Sequence, residues 1–311
     1  MAHRLRLEAL QAEISAVDAL LKEAIEVGDP VGEYQLSKRK GSLETEISNL
    51  LKEPVKTASV ALFFGGKPVF GSRGVSVAFA GNALRQFQEL VSKVYATFEL
   101  GRIGERWPIP LKQATDLMVT EIAKGSFGFV LDELQEQLEM FDTDLKKAVQ
   151  EVATLLERTA SPNEIDFEEA LETLDPRTLF ALKEFFATLD SSNATVRLVE
   201  DKFDFTLDEP AVHRARERTE ATSIDEAEEL VDGILVGFLP QHRKFEAKTD
   251  DGVDVYGSVT TEAAEQYESF VSSLEIAVGK RWRFKIRRRT VRPVNRPPRV
   301  VHKLTEFLQA E

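Results

Sequence analysis

The sequence predicts an α+β protein in three parts. Residues 1–53 are expected to form an antiparallel helical hairpin, residues 57–222 a small α+β domain extended by acidic helices, and residues 223–311 a five-stranded β-barrel with a basic edge. Three observations support this class: a heptad repeat at the start of the chain, a change to two-residue periodicity after residue 57, and a C-terminal order of three strands, one helix and two strands.

The first helix is indicated by apolar residues spaced alternately three and four positions apart, which places them on one helical face. These residues are Leu7, Leu10, Ile14, Val17, Leu21 and Ala24. Gly28 ends this helix, Pro30 suits the start of a second one, and Pro54 closes the pair. A two-helix hairpin on its own leaves part of its apolar surface exposed to solvent. Residues 1–53 therefore either lie against the rest of the protein or form a coiled coil that binds a second copy or a partner, and both alternatives stay open.

In the middle region the pattern predicts short strands followed by helices. The expected elements are strands at 59–64, 68–70 and 75–80, a helix at 82–99, a hairpin at 117–123 and 127–131, helices within 142–190, and a hairpin at 194–199 and 202–207. Pro162 and Pro176 stand at helix starts, with Ser161 and Asp175 placed as caps. A charged helix or linker is expected to continue through Glu229.

The C-terminal region has the clearest pattern. The predicted elements are strands at 231–239, 244–249 and 253–259, a helix at 261–274, and strands at 281–291 and 299–304. Asp250, Asp251 and Gly252 form the turn between the second and third strands. This order resembles the OB-fold, a five-stranded barrel with a helix between its third and fourth strands. The resemblance covers roughly the last 80 residues and rests on topology without a signature motif.

Composition excludes several classes of protein. The 311 residues contain no cysteine, which excludes disulfides, thiolate metal sites and a cysteine nucleophile. No apolar run approaches the roughly 20 residues that cross a bilayer, so no membrane association is expected. The first ten residues lack an apolar segment typical of a secretory signal, which favours a cytoplasmic location.

Charge is distributed unevenly along the chain. The totals are 40 basic and 53 acidic side chains, a net charge of -13. Residues 111–235 contain 12 basic and 30 acidic side chains, or -18, whereas residues 280–303 contain 11 basic side chains and no acidic one. We call these cations of residues 280–303 the basic edge. With no acidic residue in the same segment, they are expected to need an external or distant counter-charge.

The basic edge follows a two-residue alternation. Trp282, Phe284 and Ile286 fall on one face of the predicted fourth barrel strand, towards the core, and the cations fall on the other. OB barrels bind single strands with cations and exposed aromatic rings together. Tyr256, or Phe245 if its strand is turned outward, is expected to supply the stacking. The candidate nucleic-acid-binding residues are Arg281, Arg283, Lys285, Arg287, Arg288, Arg289, Arg292, Arg296, Arg299 and Tyr256.

The segment from Arg292 to Arg299 contains three prolines, Pro293, Pro297 and Pro298. Proline cannot donate to a β-ladder, so this run is expected to loop out of the barrel. An extended arginine-rich loop suits contact with phosphates, because the guanidinium offers a fixed fork of donors. A solvated surface loop explains the same residues without a ligand.

The leading hypothesis is a non-catalytic protein that docks a polyanion, above all nucleic acid, on the basic edge. The alternative is an oligomerising adaptor whose basic edge binds an acidic partner or the acidic middle of its own chain. A third hypothesis is a Mg²⁺-dependent nuclease, because Asp232, Glu246 and Lys248 have the spacing of the PD-(D/E)xK enzymes. No cofactor is predicted, and the four single histidines have no spacing typical of a metal site.

Overall fold

The chain has the predicted α+β class, with an N-terminal helical pair and a closed five-stranded barrel at the C-terminus. The computed structural model describes residues 3–52, 55–100, 112–123, 127–134, 141–272, 277–292 and 297–310. The chain divides into two compact units, Met1–Thr219 and Glu220–Glu311. The functional candidates lie in the second unit.

The N-terminal pair consists of α1, His3–Val27, and α2, Pro30–Lys52. Gly28 turns the chain with a φ of 72°, a value that glycine adopts without steric cost. The Asp29 carboxylate caps α2 by accepting hydrogen bonds from the backbone amides of residues 31 and 32, at 3.1 and 3.0 Å. Leu10, Val17 and Leu43 are buried in the seam between the helices. The predicted heptad face is therefore the packing face of the hairpin.

The two ends of this hairpin differ in their surroundings. Near its base, Leu5 packs against buried residues of the neighbouring sheet, and Arg4 forms a salt bridge with Asp204 at 3.4 Å. Near the opposite end the apolar side chains of Ile25, Val27, Val31 and Tyr34 are exposed. The rest of the unit thus covers the base of the hairpin and leaves its distal end in solvent.

The remainder of the first unit is a five-stranded antiparallel sheet packed with helices. Its elements are β1 Ser59–Gly66, β2 Val69–Phe70, β3 Gly74–Val75, α3 Val77–Leu100, a short 3-10 helix Lys112–Thr115, β4 Met118–Ala123, β5 Phe127–Asp132, α4 Asp144–Ala160, α5 Glu164–Thr173, α6 Pro176–Ser191, β6 Ala194–Val199, β7 Asp204–Leu207 and α7 Glu209–Ala221. The sheet order is β4-β5-β1-β6-β7, and β2 and β3 form a separate ribbon. Both predicted hairpins, β4–β5 and β6–β7, are present.

The predicted strand at residues 75–80 is wrong. Only Gly74–Val75 pairs, with β2, and the chain turns into α3 at Val77. The Ser76 hydroxyl accepts a hydrogen bond from the Phe79 amide at 3.5 Å, which is the position of a helix N-cap. Phe79 and Ala80 are then buried on the first turns of the helix. A short apolar run of this kind fits a strand or a buried helical turn equally well by periodicity alone.

The second unit is the barrel. Its elements are β8 Ser223–Leu239, β9 Lys244–Thr249, β10 Asp254–Val259, α8 Thr261–Ser272, β11 Arg281–Arg292 and β12 Arg299–Ala310. The strands close in the order β10-β12-β11-β8-β9, and β10 runs parallel to β12. Three strands, a helix and two strands, closed by antiparallel pairing of the first and fourth strands, form the OB-like barrel that the sequence predicts.

The barrel interior is filled by aromatic and aliphatic side chains. Trp282 and Phe284 face this core, with 5 % and 0 % of their surface exposed, as the alternation in β11 predicts. The Trp282 indole N–H donates to the backbone carbonyl of Ala277 at 2.9 Å. Phe245 is also buried at 3 %, so it is not available for stacking on a ligand. Tyr256 and its neighbours form the outward surface of β9 and β10.

The predicted charged helix through Glu229 is wrong in its second half. Helix α7 ends at Ala221, and residues 223–229 belong to β8, which is 17 residues long. These residues pair in register with β11 from Arg292 to Ile286. The first barrel strand therefore begins eight positions before the predicted start at residue 231, and it brings a run of carboxylates beside the basic edge.

Candidate nucleic-acid interface

The cations of β11 lie opposite the carboxylates of β8. Arg283 donates from Nε and Nη2 to the two carboxylate oxygens of Asp232, at 2.7 and 2.8 Å. The two residues are directly paired in the β8–β11 register. This bidentate hydrogen bond holds the pKa of Asp232 below its ordinary value. A guanidinium in this arrangement has two of its donors committed to an internal acceptor.

Glu228 serves two cations of the same strand. Its carboxylate lies 3.2 Å from the Lys285 amine and 3.3 Å from the Arg287 guanidinium. Burial alone would raise the pKa of Glu228, but the hydrogen bonds from Lys285 and Arg287 outweigh burial and hold the pKa below its ordinary value. The carboxylate thus stays ionised at neutral pH and counters both cations.

The C-terminal half of β11 repeats this pairing. Arg288 donates to Glu229 at 3.4 Å, Arg289 lies 3.8 Å from Glu226, and Arg292 pairs with Asp225. Arg289 is only 4 % exposed, so most of its side chain is withdrawn from any external phosphate. At the start of the strand Arg281 pairs with Asp250.

We call this set of pairs on β8 and β11 the paired ladder. Its members are the cations Arg283, Lys285, Arg287, Arg288, Arg289 and Arg292 and the carboxylates Asp225, Glu226, Glu228, Glu229 and Asp232. The counter-charge of these cations is therefore distant in sequence but lies on the neighbouring strand of the same barrel. Their counter-charges come from residues 225–232, the end of the acidic stretch, which folds into the barrel. The whole barrel unit has 14 basic and 16 acidic side chains, or -2.

Two predicted site residues lie at the edge of the barrel and one lies outside the described residues. Arg292 ends β11 and Arg299 begins β12. Residues 293–296, which include Arg296, fall outside the described residues. The predicted role of the proline-rich segment as a phosphate-binding loop stays a prediction.

Tyr256 is placed differently from the arginines. It lies on β10 with 76 % of its surface exposed. In the antiparallel β9–β10 register it is directly opposite Glu246, and Gly257 is opposite Phe245. Because residues directly across a strand pair point to the same side, Tyr256 and Glu246 share the outer face.

Three neighbouring strands contribute to that outer face. β8 supplies Ile234, Val236 and Leu239, β9 supplies Lys244, Glu246 and Lys248, and β10 supplies Asp254, Tyr256 and Ser258. The register aligns them in rows, with Ile234, Lys248 and Asp254 in one row and Leu239, Lys244 and Ser258 in another. A β-bulge at residues 235–237 leaves Val236 beside the row of Glu246 and Tyr256. We call these nine residues the tyrosine patch.

The charged groups of the tyrosine patch are unpaired within the described part of the chain. Lys244, Glu246 and Lys248 are exposed, and none of them forms a salt bridge or side-chain hydrogen bond with a described residue. Beside them, Ile234, Val236 and Leu239 expose 45 %, 48 % and 58 % of their surface. The patch therefore combines an aromatic ring, an aliphatic column and charged groups that are free to meet a ligand.

The sequence identifies Tyr256 as a candidate site residue but does not identify the residues that surround it. Lys244, Glu246 and Lys248 alternate with Phe245 and Ala247, which is the pattern of a strand with one wholly charged face. That pattern was a sufficient signal for the outward column of β9. The aliphatic column of β8 had no comparable signal, because the bulge at Val236 interrupts its alternation.

The arrangement expected of a nuclease is not formed by its three predicted residues. Asp232 is engaged by Arg283 and lies beside Asp250, whose amide donates to its carbonyl. Glu246 is four strand residues from Asp250, or about 13 Å at roughly 3.3 Å per residue. Because Asp232 lies beside Asp250, the same distance separates Asp232 from Glu246, and two carboxylates that far apart cannot share one metal ion. Within the residues that the structure describes, no group of three or more His, Asp or Glu side chains is arranged to hold a metal.

Comparison of the chain with protein-family models, with curated proteins and with solved structures gives no match in any of the three. The function is therefore inferred from the residues of the site. Among the described residues, no helix combines the length and the apolar character needed to cross a membrane.

Proposed function

We propose that this protein binds single-stranded nucleic acid across the tyrosine patch of its OB-like barrel. The observation that carries the proposal is the exposed ring of Tyr256 on the third barrel strand, with the lysines of the second strand beside it. The outer face of these strands is where OB barrels accommodate oligonucleotides. The proposal moves the binding surface from the basic edge to this face.

Stacking supplies the main attraction. A base placed on an exposed aromatic ring contributes roughly 1–3 kcal/mol, and every base offers a π-face. Ile234 and Val236, in the neighbouring column, offer apolar contact for a second base or a sugar. Duplex DNA keeps its bases stacked inside the helix, so a surface of this kind selects single strands.

Charge supplies a smaller part. Lys244 and Lys248 stand about 13 Å apart on β9, at roughly 3.3 Å per residue, and flank the row of Tyr256. Arg243, in the turn before β9, donates to the Thr261 hydroxyl at 3.1 Å and adds a cation at the same end as Lys244. Glu246 and Asp254 balance the two lysines within the patch. The salt dependence of binding is therefore shallow, with a logarithmic slope of about -1.4 for two phosphate contacts.

The paired ladder is a poorer site for a polyanion. A phosphate that approaches Arg283 meets a guanidinium with two of its donors already committed to Asp232, and it lies close to that carboxylate. Repulsion between the two anions offsets the attraction that the phosphate gains. Six cations that face five carboxylates therefore attract nucleic acid less than their number indicates.

Fluorescence anisotropy tests the proposal directly. A labelled single strand of about 12 nucleotides is titrated with the full chain from about 50 to 200 mM salt, with a duplex of the same sequence for comparison. Saturable binding of the single strand, weakened by Tyr256→Ala, is the expected result. No binding of the single strand at the lowest salt, or equal affinity of wild type and Tyr256→Ala, overturns the proposal.

A second candidate function is self-association through residues 1–53. The observation that favours it is the distal end of the hairpin, where the apolar side chains of Ile25, Val27, Val31 and Tyr34 are exposed. Sedimentation velocity of the wild type and of Val27→Glu with Val31→Glu separates the cases. A dimer that the charged variant dissociates supports self-association, and a monomeric wild type excludes it at the concentration used.

A further inference from the structure

Glu246 is an anomalous residue in a surface that binds nucleic acid. It lies in the centre of the tyrosine patch, between Lys244 and Lys248 on the same strand face and directly opposite Tyr256. It is exposed, and its carboxylate makes no hydrogen bond or salt bridge with any residue that the structure describes. A carboxylate at this position repels phosphates, so it lowers affinity unless the ligand offers it a compensating group.

The chemistry of the carboxylate defines that group. An ionised carboxylate only accepts hydrogen bonds, and its two oxygens accept two parallel donors in a bidentate arrangement. The compensating part of the ligand must therefore present two adjacent N–H donors and no acceptor between them.

Only one common base satisfies this requirement on its Watson–Crick edge. Guanine presents its N1–H and N2–H donors side by side, whereas adenine, cytosine, thymine and uracil each place an acceptor beside their donor. In a single strand this edge is open to side chains. We propose that Glu246 reads guanine, with the base stacked on Tyr256 and its Watson–Crick edge on the carboxylate. The inference rests on the proposed function of the tyrosine patch.

The register provides the necessary proximity. Side chains directly opposite on an antiparallel pair have Cβ atoms about 4.5–5.5 Å apart, and the neighbouring strands are about 4.8 Å apart. A base stacked on the Tyr256 ring therefore reaches Glu246 with its edge when it extends over β9. Lys244 and Lys248 lie two residues from Glu246 on either side, about 6.6 Å along the strand, where they meet the flanking phosphates.

The test uses four labelled single strands that differ at one position. Each is a nine-nucleotide thymidine strand whose central residue is guanine, adenine, cytosine or thymine, and each is titrated with the full chain at one fixed salt concentration. Wild type is expected to bind the guanine strand about 5- to 150-fold more tightly than the thymine strand, the discrimination of one bidentate base contact.

Glu246→Gln is the diagnostic variant, because it keeps the side-chain shape and replaces one acceptor by a donor. It is expected to lose the guanine preference, since an amide finds one adjacent donor and acceptor on each of the four bases. Glu265→Gln, an exposed carboxylate on α8, is the matched control and keeps the guanine preference. The thermal midpoint of each variant checks that the barrel stays folded.

The outcomes separate the two proposals. If wild type binds all four strands with equal affinity, the tyrosine patch keeps its proposed function and the guanine inference is wrong. An unchanged guanine preference in Glu246→Gln also overturns the inference. If wild type binds none of the four strands at low salt, the proposed function itself fails, and the inference fails with it.

Discussion

Two outer surfaces of one barrel contrast in how they carry charge. The paired ladder on β8 and β11 contains six cations, and each lies within 4 Å of a carboxylate of the neighbouring strand. The tyrosine patch on β8, β9 and β10 contains only two lysines, but neither has a charged partner among the described residues. The availability of a charged group, rather than the number of charged groups around it, therefore determines whether it can meet a ligand.

The two surfaces also differ in the uncharged groups that accompany their charges. The ladder presents guanidinium groups and carboxylates in alternation, with no exposed aromatic ring among its members. The patch presents Tyr256 beside an aliphatic column. Selectivity for single strands follows from the second arrangement, because it needs unstacked bases.

The largest expected effect is the loss of stacking. Tyr256→Ala should weaken binding of a single strand about 5- to 150-fold, which corresponds to roughly 1–3 kcal/mol per stacked base. Tyr256→Phe keeps the ring and is the matched control. Anisotropy titrations of both variants provide the measurement. Equal losses in the two variants would assign the effect to the hydroxyl and would remove stacking from the account.

A second variant makes the ladder resemble an open cationic surface. Asp232→Asn, Glu228→Gln and Glu229→Gln together remove the carboxylates that face Arg283, Lys285, Arg287 and Arg288. Polyanion affinity at low salt should rise roughly five- to tenfold, and the logarithmic salt slope should steepen by about 0.7 for each released cation that meets a phosphate of a single strand. This added binding should extend to duplex DNA, since it needs no unstacked base.

The same titrations can contradict the prediction that pairing limits the affinity of the ladder for polyanions. If the triple variant binds no more tightly than wild type, pairing with β8 does not limit the ladder. The contrast between the two surfaces would then have to rest on the aromatic ring alone.

The barrel was predictable from the sequence because its signals are local. The Asp250–Asp251–Gly252 turn fixes the β9–β10 hairpin, with Gly252 at a φ of 81°, and the alternation in β11 identifies Trp282 and Phe284 as core residues. The register set by this turn also places Tyr256 opposite Glu246, which lies ten residues earlier. These features depend on neighbours within a few positions.

The ladder was not predictable in the same way. Residues 225–229 are mostly acidic helix formers, and local propensity favours a helix. They form a strand because β11, about 60 positions later, pairs with them and supplies opposite charges, directly across the register at Glu226 and Glu228. Strand formation at this position is a tertiary effect, and so is the neutralisation of the basic edge.

A smaller effect is expected from single lysines. Lys248→Ala should lower single-strand affinity about two- to fivefold and reduce the magnitude of the salt slope by about 0.7, the value for one lost phosphate contact. Lys280→Ala removes an exposed lysine that lies outside the patch and is the matched control. Anisotropy across a salt series distinguishes them. Equal changes in both variants would mean that the barrel binds through its general charge.

The smallest expected effect concerns stability and pH. The pKa of Glu228 and that of Asp232 are lowered in the folded barrel. Groups with a depressed folded pKa stabilise the fold above their unfolded pKa, near 4, and this stability is lost as the pH falls through the folded pKa. For an exposed pair the effect at Glu228 is under about 1 kcal/mol.

Urea unfolding at pH 7 and at successively lower pH measures this effect. Trp282 reports on the barrel when Trp107 is replaced by Phe. In that background Glu228→Gln should reduce the loss of stability on acidification, because the amide does not titrate. A loss identical to that of the parent would show that Glu228 contributes nothing to the pH dependence.

Zero-length ultraviolet crosslinking of a single-stranded oligonucleotide, followed by mass spectrometry of the digested protein, tests the central claim most directly. The account predicts a crosslink at Tyr256, within the β10 peptide, that is absent in Tyr256→Ala. A crosslink confined to residues 281–292 of β11 would contradict the account, because it would place the nucleic acid on the paired ladder.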